Sequence, residues 1–225
     1  MVEMLYRSKN VVVIYKPAGI PSQSDPSGDP DAMTLTYEKL KALGESSSLW
    51  LVHRLDRVVG GLLIFARNKK YAAILSEYVK ERLITKEYYA VVDGEAEGGT
   101  LENLIFKDPR INKAYIVDRK RQGTKEARLT YKRLASYESE KGGRTLVYVT
   151  LDTGRFHQIR AQMSYIGSPV TGDGKYGSKD NRARSLALFS SHLFLDLPGE
   201  RIDVTRLPDL GEYPWSLFTE EDYKL

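Results

Sequence analysis

The chain contains no cysteine, so thiol nucleophiles, disulfides and thiolate metal sites are excluded. Any chemistry must come from carboxylates, tyrosines, histidines, lysines or arginines. One carboxylate stands in an unusual setting. In the stretch L-V-H-R-L-D-R-V-V-G-G-L-L-I-F-A-R from Leu51 to Arg67, Asp56 is flanked by Arg54 and Arg57, and Gly60-Gly61 follow at the start of an apolar run, Leu62 to Ala66. That run has the length of a strand buried on both faces, which puts Asp56 in a tight connection against a core strand. A buried carboxylate is costly unless a cation pairs with it; the ordinary alternative is a turn residue paired with Arg54 or Arg57. A second polar group lies between Asp152 and Gly167. There Phe156, Ile159, Met163 and Ile166 mark the buried face of a short helix closed by Gly167, and His157, Arg160 and Ser164 form a polar stripe beside it. Arg160 borders the apolar face through its spacing from Phe156, where it can reach a buried carboxylate; a solvated helix arginine is the plainer use. His53, His157 and His192, the only histidines, show no ligand spacing.

The elements that must position these residues can be read along the chain. Val11-Val12-Val13-Ile14-Tyr15 is a β-branched strand that Pro17-Ala18-Gly19 turns. Ser22 to Asp31 reads as an exposed loop. After it, Met33, Tyr37, Leu40 and Leu43 fall on one helical face, with Gly44 placed to end the helix. Asn68 can cap a helix in which Tyr71, Ile74, Leu75, Tyr78 and Val79 share a face. Thr85 to Gly94 alternates as a strand, with Tyr88, Ala90 and Val92 opposite Tyr89 and Val91. Strands around Leu104–Phe106, Ala114–Val117 and Ala127–Tyr131 follow, and the last two flank the charged loop Arg119 to Lys125. Such a loop is ordinarily solvated, although beside a polyanion site it would clamp phosphates. Arg144 to Leu151 alternates cleanly, and Leu186 to Leu197 is a further strand. Asp152 and Asp173 read as turn residues, and Trp215 and Phe218 anchor the closing segment.

With 225 residues the chain is long enough for one sizeable core, and one domain spanning residues 1–225 is expected. Its 34 Lys+Arg against 30 Asp+Glu leave a formal charge of +4, which permits a polyanionic partner without demanding one. The first residues lack a secretory pattern and no apolar run approaches a membrane span, so a soluble cytoplasmic protein, acting as a monomer, is expected.

Several of these stretches, taken together, resemble the RluA-type pseudouridine synthases. They are V-I-Y-K-P-A-G, the word H-R-L-D with G-L-L-I-F-A-R behind it, K-x-Y at Lys86 to Tyr88, T-G-R-x-H-Q-I-R ending at Arg160, and G-D-x-K-Y-G at Gly172 to Gly177. The chain departs from the usual wording at Val59 and Gly60, where Thr and Ser are commoner, and at Phe189, where a His is common. The resemblance implies the pseudouridine synthase catalytic fold, an α+β architecture with a mixed, largely antiparallel central sheet and flanking helices. Asp56 would be the catalytic residue, Tyr88 a tyrosine beside it, and Arg160 the cation paired with it. Arg54, His53, Lys86, Arg155 and His157 would contact substrate RNA. Many members carry a separate RNA-binding domain ahead of the first strand; only Met1 to Asn10 precede it here, so that domain is expected to be missing.

Pseudouridine formation breaks the bond from uridine N1 to the ribose, turns the base and rebuilds the link through C5. The reaction oxidises nothing, so neither a redox cofactor nor a metal is expected, and the partner is ribosomal or transfer RNA. Asp56 would bond to the base, bond to the sugar or remove a ribose proton; Tyr88 offers a ring for the base and a hydroxyl for the C5 proton. Arg54 would take the space of a uridine drawn from its stack. Two readings compete: a catalytically silent RNA-binding module of the same fold, and a nucleoside or glycoside hydrolase with Asp152 or Asp173 as its second carboxylate.

Overall fold

A computed structural model describes residues 1–45, 48–139 and 142–225. In chain order the elements are β1 (Glu3–Arg7), β2 (Val11–Lys16), α1 (Ala32–Ala42), β3 (Trp50–Leu51), β4 (Gly60–Ala66), α2 (Lys69–Lys80), β5 (Thr85–Asp93) and β6 (Gly98–Asp108). They continue with β7 (Lys113–Val117), β8 (Thr124–Tyr137), β9 (Arg144–Leu151), α3 (Gln158–Tyr165), β10 (Leu188–Leu197) and β11 (Glu200–Thr205). This is a mixed α+β fold whose strands pair largely antiparallel, as the resemblance implies. Two compact units are distinguishable, one of Met1–Lys86 with Phe189–Arg206, the other of Glu87–Leu188 with Leu207–Leu225. No helix among the described residues is long and apolar enough to cross a membrane.

The first unit is built on β4, whose seven residues are all buried, as an uninterrupted apolar run requires. β2 pairs with it antiparallel from Val11↔Ala66 to Lys16↔Gly61, and β10 pairs with it parallel at Phe189↔Gly60 and Ser190↔Gly61. The approach at Gly61 admits only glycine: a Cβ there would lie 2.3 Å from the Ser190 carbonyl oxygen, and φ is +122°. Val11, Val13, Leu62, Ile64, Leu75 and Leu193 belong to one core, against which α2 lays Tyr71, Ile74, Tyr78 and Val79. Asn68 caps α2, its side chain accepting from the Tyr71 N–H at 2.9 Å.

The face expected of α1 is corrected. Ala32, Thr36 and Leu40 are buried, whereas Tyr37 and Leu43 are exposed. The stripe runs at four-residue spacing through a threonine, whose hydroxyl donates to the Ala32 carbonyl at 2.6 Å and so enters the interior already satisfied. β1 and β11, which pair with β2 and β10, were not foreseen.

In the second unit the strands run β5-β9-β8-β6-β7, every neighbour antiparallel. Tyr88 faces Val149 across the β5–β9 ladder. α3 ends at Tyr165, one residue before Ile166, which is more exposed than its apolar spacing suggests; Gly167 then turns the chain at φ +87°. Trp215 and Phe218 are buried as expected, and the Tyr89 hydroxyl donates to the Tyr223 carbonyl at 2.6 Å.

Candidate active site

Asp56 is half-buried in the turn that leads into β4, its carbonyl accepting from the Val59 N–H at 3.0 Å. The backbone on either side of it is fixed. Ser22 Oγ donates to the Leu55 carbonyl at 2.8 Å and accepts from the Leu55 N–H at 3.1 Å. Beyond Asp56, the Arg57 carbonyl accepts from Gly19 N at 2.8 Å and from Lys16 Nζ at 3.3 Å. Lys16 also donates to the Ile20 and Pro17 carbonyls at 2.7 and 3.0 Å, so its three ammonium protons meet three backbone oxygens. The residue has no exposed surface. Burial pushes Lys16 down to about 7, while the Asp56 charge works in the opposite direction and favours the ammonium. The complete set of carbonyl acceptors also suits the charged form.

The side chains flanking Asp56 go elsewhere. Arg54 is exposed. Arg57 turns to the loop ahead of α1, where it pairs with Asp29 and donates from Nε to the Gly19 carbonyl at 2.9 Å. His53 has a buried Nε2 without a hydrogen-bond partner. Burial first, then the Lys86 charge, hold His53 down to about 3, so the imidazole is neutral. Burial also lowers Lys86 from the ordinary lysine value.

In the second unit, Tyr88 is buried on β5 and Arg160 is buried on α3. Arg160 lies on the helix face that the sequence suggested, but with a partner that the turn reading of Asp173 did not foresee. Arg160 Nε donates to Asp173 Oδ2 at 2.7 Å and Nη2 to Oδ1 at 2.9 Å, and Asp173 is itself only 3% exposed. The guanidinium also lies over the Tyr176 ring, 4.9 Å from its centroid. Tyr176 is fixed in turn: its hydroxyl accepts from the Ala114 N–H at 2.8 Å and meets His157 Nδ1 at 3.0 Å. A phenol oxygen can both accept and donate, so it serves the Ala114 N–H and the imidazole Nδ1 together.

His157 is stacked on Phe156 with ring centroids 3.7 Å apart and is held down to about 3 by burial and then by the charges of Arg160, Lys175 and Lys107. A neutral, buried histidine packs and hydrogen-bonds within the unit. Arg155 lies at the surface end of the same segment, its Nε donating to the Glu126 carbonyl at 2.8 Å. Lys16 is the residue that sequence reasoning missed, although the word V-I-Y-K-P-A-G contained it, and Asp173 was read as a turn residue or a hydrolase's second carboxylate, not as the partner of Arg160. Among the described residues no group of three or more His, Asp or Glu side chains stands together to hold a metal ion.

Comparison with known proteins gives the class. The profile described as RNA pseudouridylate synthase matches residues 10–165. The ribosomal large subunit pseudouridine synthase D of Borreliella burgdorferi is 31% identical over 233 residues, covering 99% of this chain and 69% of that protein. An uncharacterized RNA pseudouridine synthase of Haemophilus influenzae is 32% identical over 212 residues, covering 94% and 90%. Other relatives are longer, and the chain spans 62% of one from Bacillus subtilis. The fold matches the solved structure of human RNA Pseudouridylate Synthase Domain Containing 1 with a TM-score of 0.76 at 24% identity, over 93% of this chain and 84% of that one. The class is therefore that of the RNA-modifying isomerases. The chain belongs to the RNA pseudouridylate synthase family.

Proposed function

We propose that this chain isomerises uridine to pseudouridine in ribosomal RNA of the large subunit, with Asp56 as the catalytic carboxylate and Tyr88 and Arg160 as its partners in the reaction. The observation that carries the reading is the turn around Asp56, half-buried at the head of a fully buried strand, with the Leu55 and Arg57 backbone fixed on either side. Preorganisation of this kind suits a group that must meet a reacting atom in one orientation. Ribosomal RNA is favoured over transfer RNA because relatives over 80% or more of this chain are named for the large ribosomal subunit.

The chemistry balances without a co-reactant. The N1–C1′ bond breaks and a C5–C1′ bond forms, C5 loses its hydrogen as a proton, and N1 gains one. Asp56 supplies negative charge to the nucleoside as the glycosidic bond opens. The Tyr88 ring packs on the uracil, and its hydroxyl carries the C5 proton. Arg160 keeps the carboxylate ionised, as an opposite charge does for any acid taken partly from water.

The test uses large-subunit ribosomal RNA transcripts and transfer RNA transcripts labelled with tritium at uridine C5. Wild-type protein should release tritium to water from the ribosomal transcript, and Asp56→Asn should lower that release more than about a thousandfold while its unfolding midpoint stays near wild type. Wild-type turnover by Asp56→Asn would remove Asp56 from the mechanism, and release from transfer RNA alone would replace the substrate.

A further inference from the structure

The second unit holds a cavity of about 240 Å³ whose lining includes Tyr137, Arg144, Arg182, Tyr213 and Leu217. It lies well away from Tyr88. Along the β5–β9 ladder Tyr88 faces Val149, and five residues further Asp93 faces Arg144, a separation of about 17 Å at about 3.4 Å per residue. One buried carboxylate fixes the walls. Asp180 accepts from Arg144 Nη2 at 2.5 Å, from Arg182 Nε and Nη2 at 3.1 and 2.6 Å, and from the Tyr213 hydroxyl. Arg144 also donates to the Gly143 carbonyl at 2.7 Å and lies 3.3 Å from Asp93, so its protons are spent within the wall. Arg182 is placed differently. Its side chain is half exposed, its guanidinium lies over the Tyr213 ring 4.5 Å from the centroid, and its Nη1 meets no acceptor among the described residues. Tyr137, the register partner of Arg144 at the end of β8, is exposed as well. No acid is among the described residues that line the cavity.

An exposed ring, a leucine and an unused guanidinium edge select a flat group that carries negative charge: the ring and Leu217 meet the flat part, and the guanidinium meets the charge. The volume falls below the roughly 300 to 1,000 Å³ of pockets that enclose a drug-sized ligand, which limits the occupant to one such unit. From this geometry we infer that the cavity seats one nucleotide of the RNA that the chain modifies, its base stacked on Tyr137 and its phosphate on the Nη1 side of Arg182. Aromatic faces and arginine are the surfaces on which unpaired RNA bases are held. The inference rests on the reading above that RNA is the substrate. It goes beyond that reading by adding a contact outside the reacting nucleoside. Because the seat and Tyr88 are carried by the same pair of strands, the spacing between the held nucleotide and the reacting uridine is fixed, and the seat contributes to the choice of uridine.

The test is read as binding to the full chain. By filter binding of the large-subunit transcript, Tyr137→Ala should weaken affinity about tenfold or more, the scale of one lost stacking platform. Tyr137→Phe, which keeps the ring, should stay within about twofold of wild type. Arg182→Gln should lower the slope of log affinity against log salt by about one, as loss of a phosphate contact does. In the absence of RNA, adenosine 5′-monophosphate should bind the wild-type protein at least tenfold more tightly than ribose 5-phosphate does, and that preference should vanish in Tyr137→Ala. Where Tyr137→Ala does not fold, the Arg182→Gln salt slope and the two probes on the wild-type protein decide. Wild-type RNA affinity and salt slope in both variants, equal losses in Tyr137→Ala and Tyr137→Phe, or equal binding of the two probes would overturn the inference. A mononucleotide preference that Tyr137→Ala abolishes, with RNA affinity unchanged, would overturn the assignment to RNA in favour of a free nucleotide. Failure of the underlying reading shows separately, as absence of tritium release by the wild-type protein, since neither arm here depends on turnover.

Discussion

Around Asp56 the fixing groups act on the backbone: the Leu55 amide and carbonyl are bound by Ser22, and the Arg57 carbonyl is bound by Gly19 and Lys16. Around Arg160 they act on the side chain: two bonds from Asp173 and the face of Tyr176. The two arrangements solve different problems. A short aspartate follows its main chain, so holding the turn holds the carboxylate. An arginine has a long flexible stem, and a fixed helix leaves its guanidinium undetermined until partners seize it. The Asp56 region should therefore be sensitive to backbone geometry and tolerant at flanking side chains, and the Arg160 region the reverse.

The largest effects should come from breaking each region in its own currency. Arg160→Ala leaves the buried Asp173 carboxylate without its cation, a loss on the order of 3 to 5 kcal/mol, and Asp173→Ala combined with it should recover part of that loss. Chemical-denaturation midpoints of the single and double variants measure the coupling; strictly additive losses would mean that the pair contributes nothing. The same cycle with Asp56→Ala in place of Asp173→Ala tests the Asp56–Arg160 pairing that the family resemblance implies. In the first unit the counterpart is Gly61→Ala, where the new Cβ meets the Ser190 backbone at 2.3 to 2.7 Å and the backbone already sits at φ +122°. Neither strand can move cheaply, and a loss of more than about 3 kcal/mol is expected from this clash and strain. A soluble Gly61→Ala protein with a wild-type midpoint would break the comparison.

How much of this could be read from residues alone differs along the same line. The buried strand β4 was readable because the consecutive apolar residues Leu62 to Ala66 leave no other face to choose, and the Asn68 cap because its acceptor serves an amide only three residues on. The α1 face was misread because Thr36 is polar by type and satisfied in place. The strands β1 and β11 are only five and six residues long and begin and end on charged or polar side chains, too short a pattern to announce itself. The words around Asp56, Tyr88 and Arg160 were recognisable, but Lys16 was not singled out, and Asp173 was read as a turn residue or a hydrolase's second carboxylate and not as the partner of Arg160. Buried polar residues are justified only by partners the chain brings from elsewhere: the Arg57 carbonyl is 41 residues from Lys16, and Arg160 is 13 from Asp173.

Tyr88 and Tyr89 sharpen the contrast on one strand. Removing the Tyr88 hydroxyl with Phe should lower turnover by about 10²-fold or more while RNA still binds, the scale of a lost proton-transfer group. Tyr89→Phe removes the donor to the Tyr223 carbonyl and should cost about 1 kcal/mol of stability with turnover nearly intact. Equal losses of turnover in the two variants would show that the strand faces are assigned wrongly.

The cluster behind Arg160 should also be visible in acid. His157 is held down to about 3 in the folded protein against an ordinary 6.5, so between those values the unfolded chain binds its proton and the folded one does not. Stability is then fully present above about pH 6.5 and falls as the pH drops toward 3, by up to about 1.4 kcal/mol per pH unit from this one group. His157→Gln should be less stable at pH 7 because the Tyr176 hydroxyl loses its imidazole partner, yet its urea midpoint should change less between pH 6 and 4 than that of wild type. Parallel pH profiles for the two proteins would mean that His157 is not held neutral.

The smallest effect is expected one residue from the largest clash. Gly60 and Phe189 are register partners on β4 and β10, and they are two of the positions at which the chain departs from the commoner family wording. A Cβ on Gly60 would meet the Phe189 ring at 3.5 Å, the Ala18 nitrogen at 3.4 Å and the Lys16 carbonyl at 3.6 Å, which are ordinary contacts. The Phe189 ring is set by Tyr15, 6.1 Å away between centroids, and can yield slightly without moving a strand. Gly60→Ser should therefore cost less than about 1 kcal/mol, within the range of substitutions that meet no named obstacle, and should leave tritium release within about twofold, because the bonds at Leu55 and Arg57 do not involve it. A large loss of turnover in Gly60→Ser with an unchanged midpoint would show that the Asp56 turn is also set by the side chains packed beneath it, and the division between a backbone-held carboxylate and a side-chain-held guanidinium would fail at its simplest point.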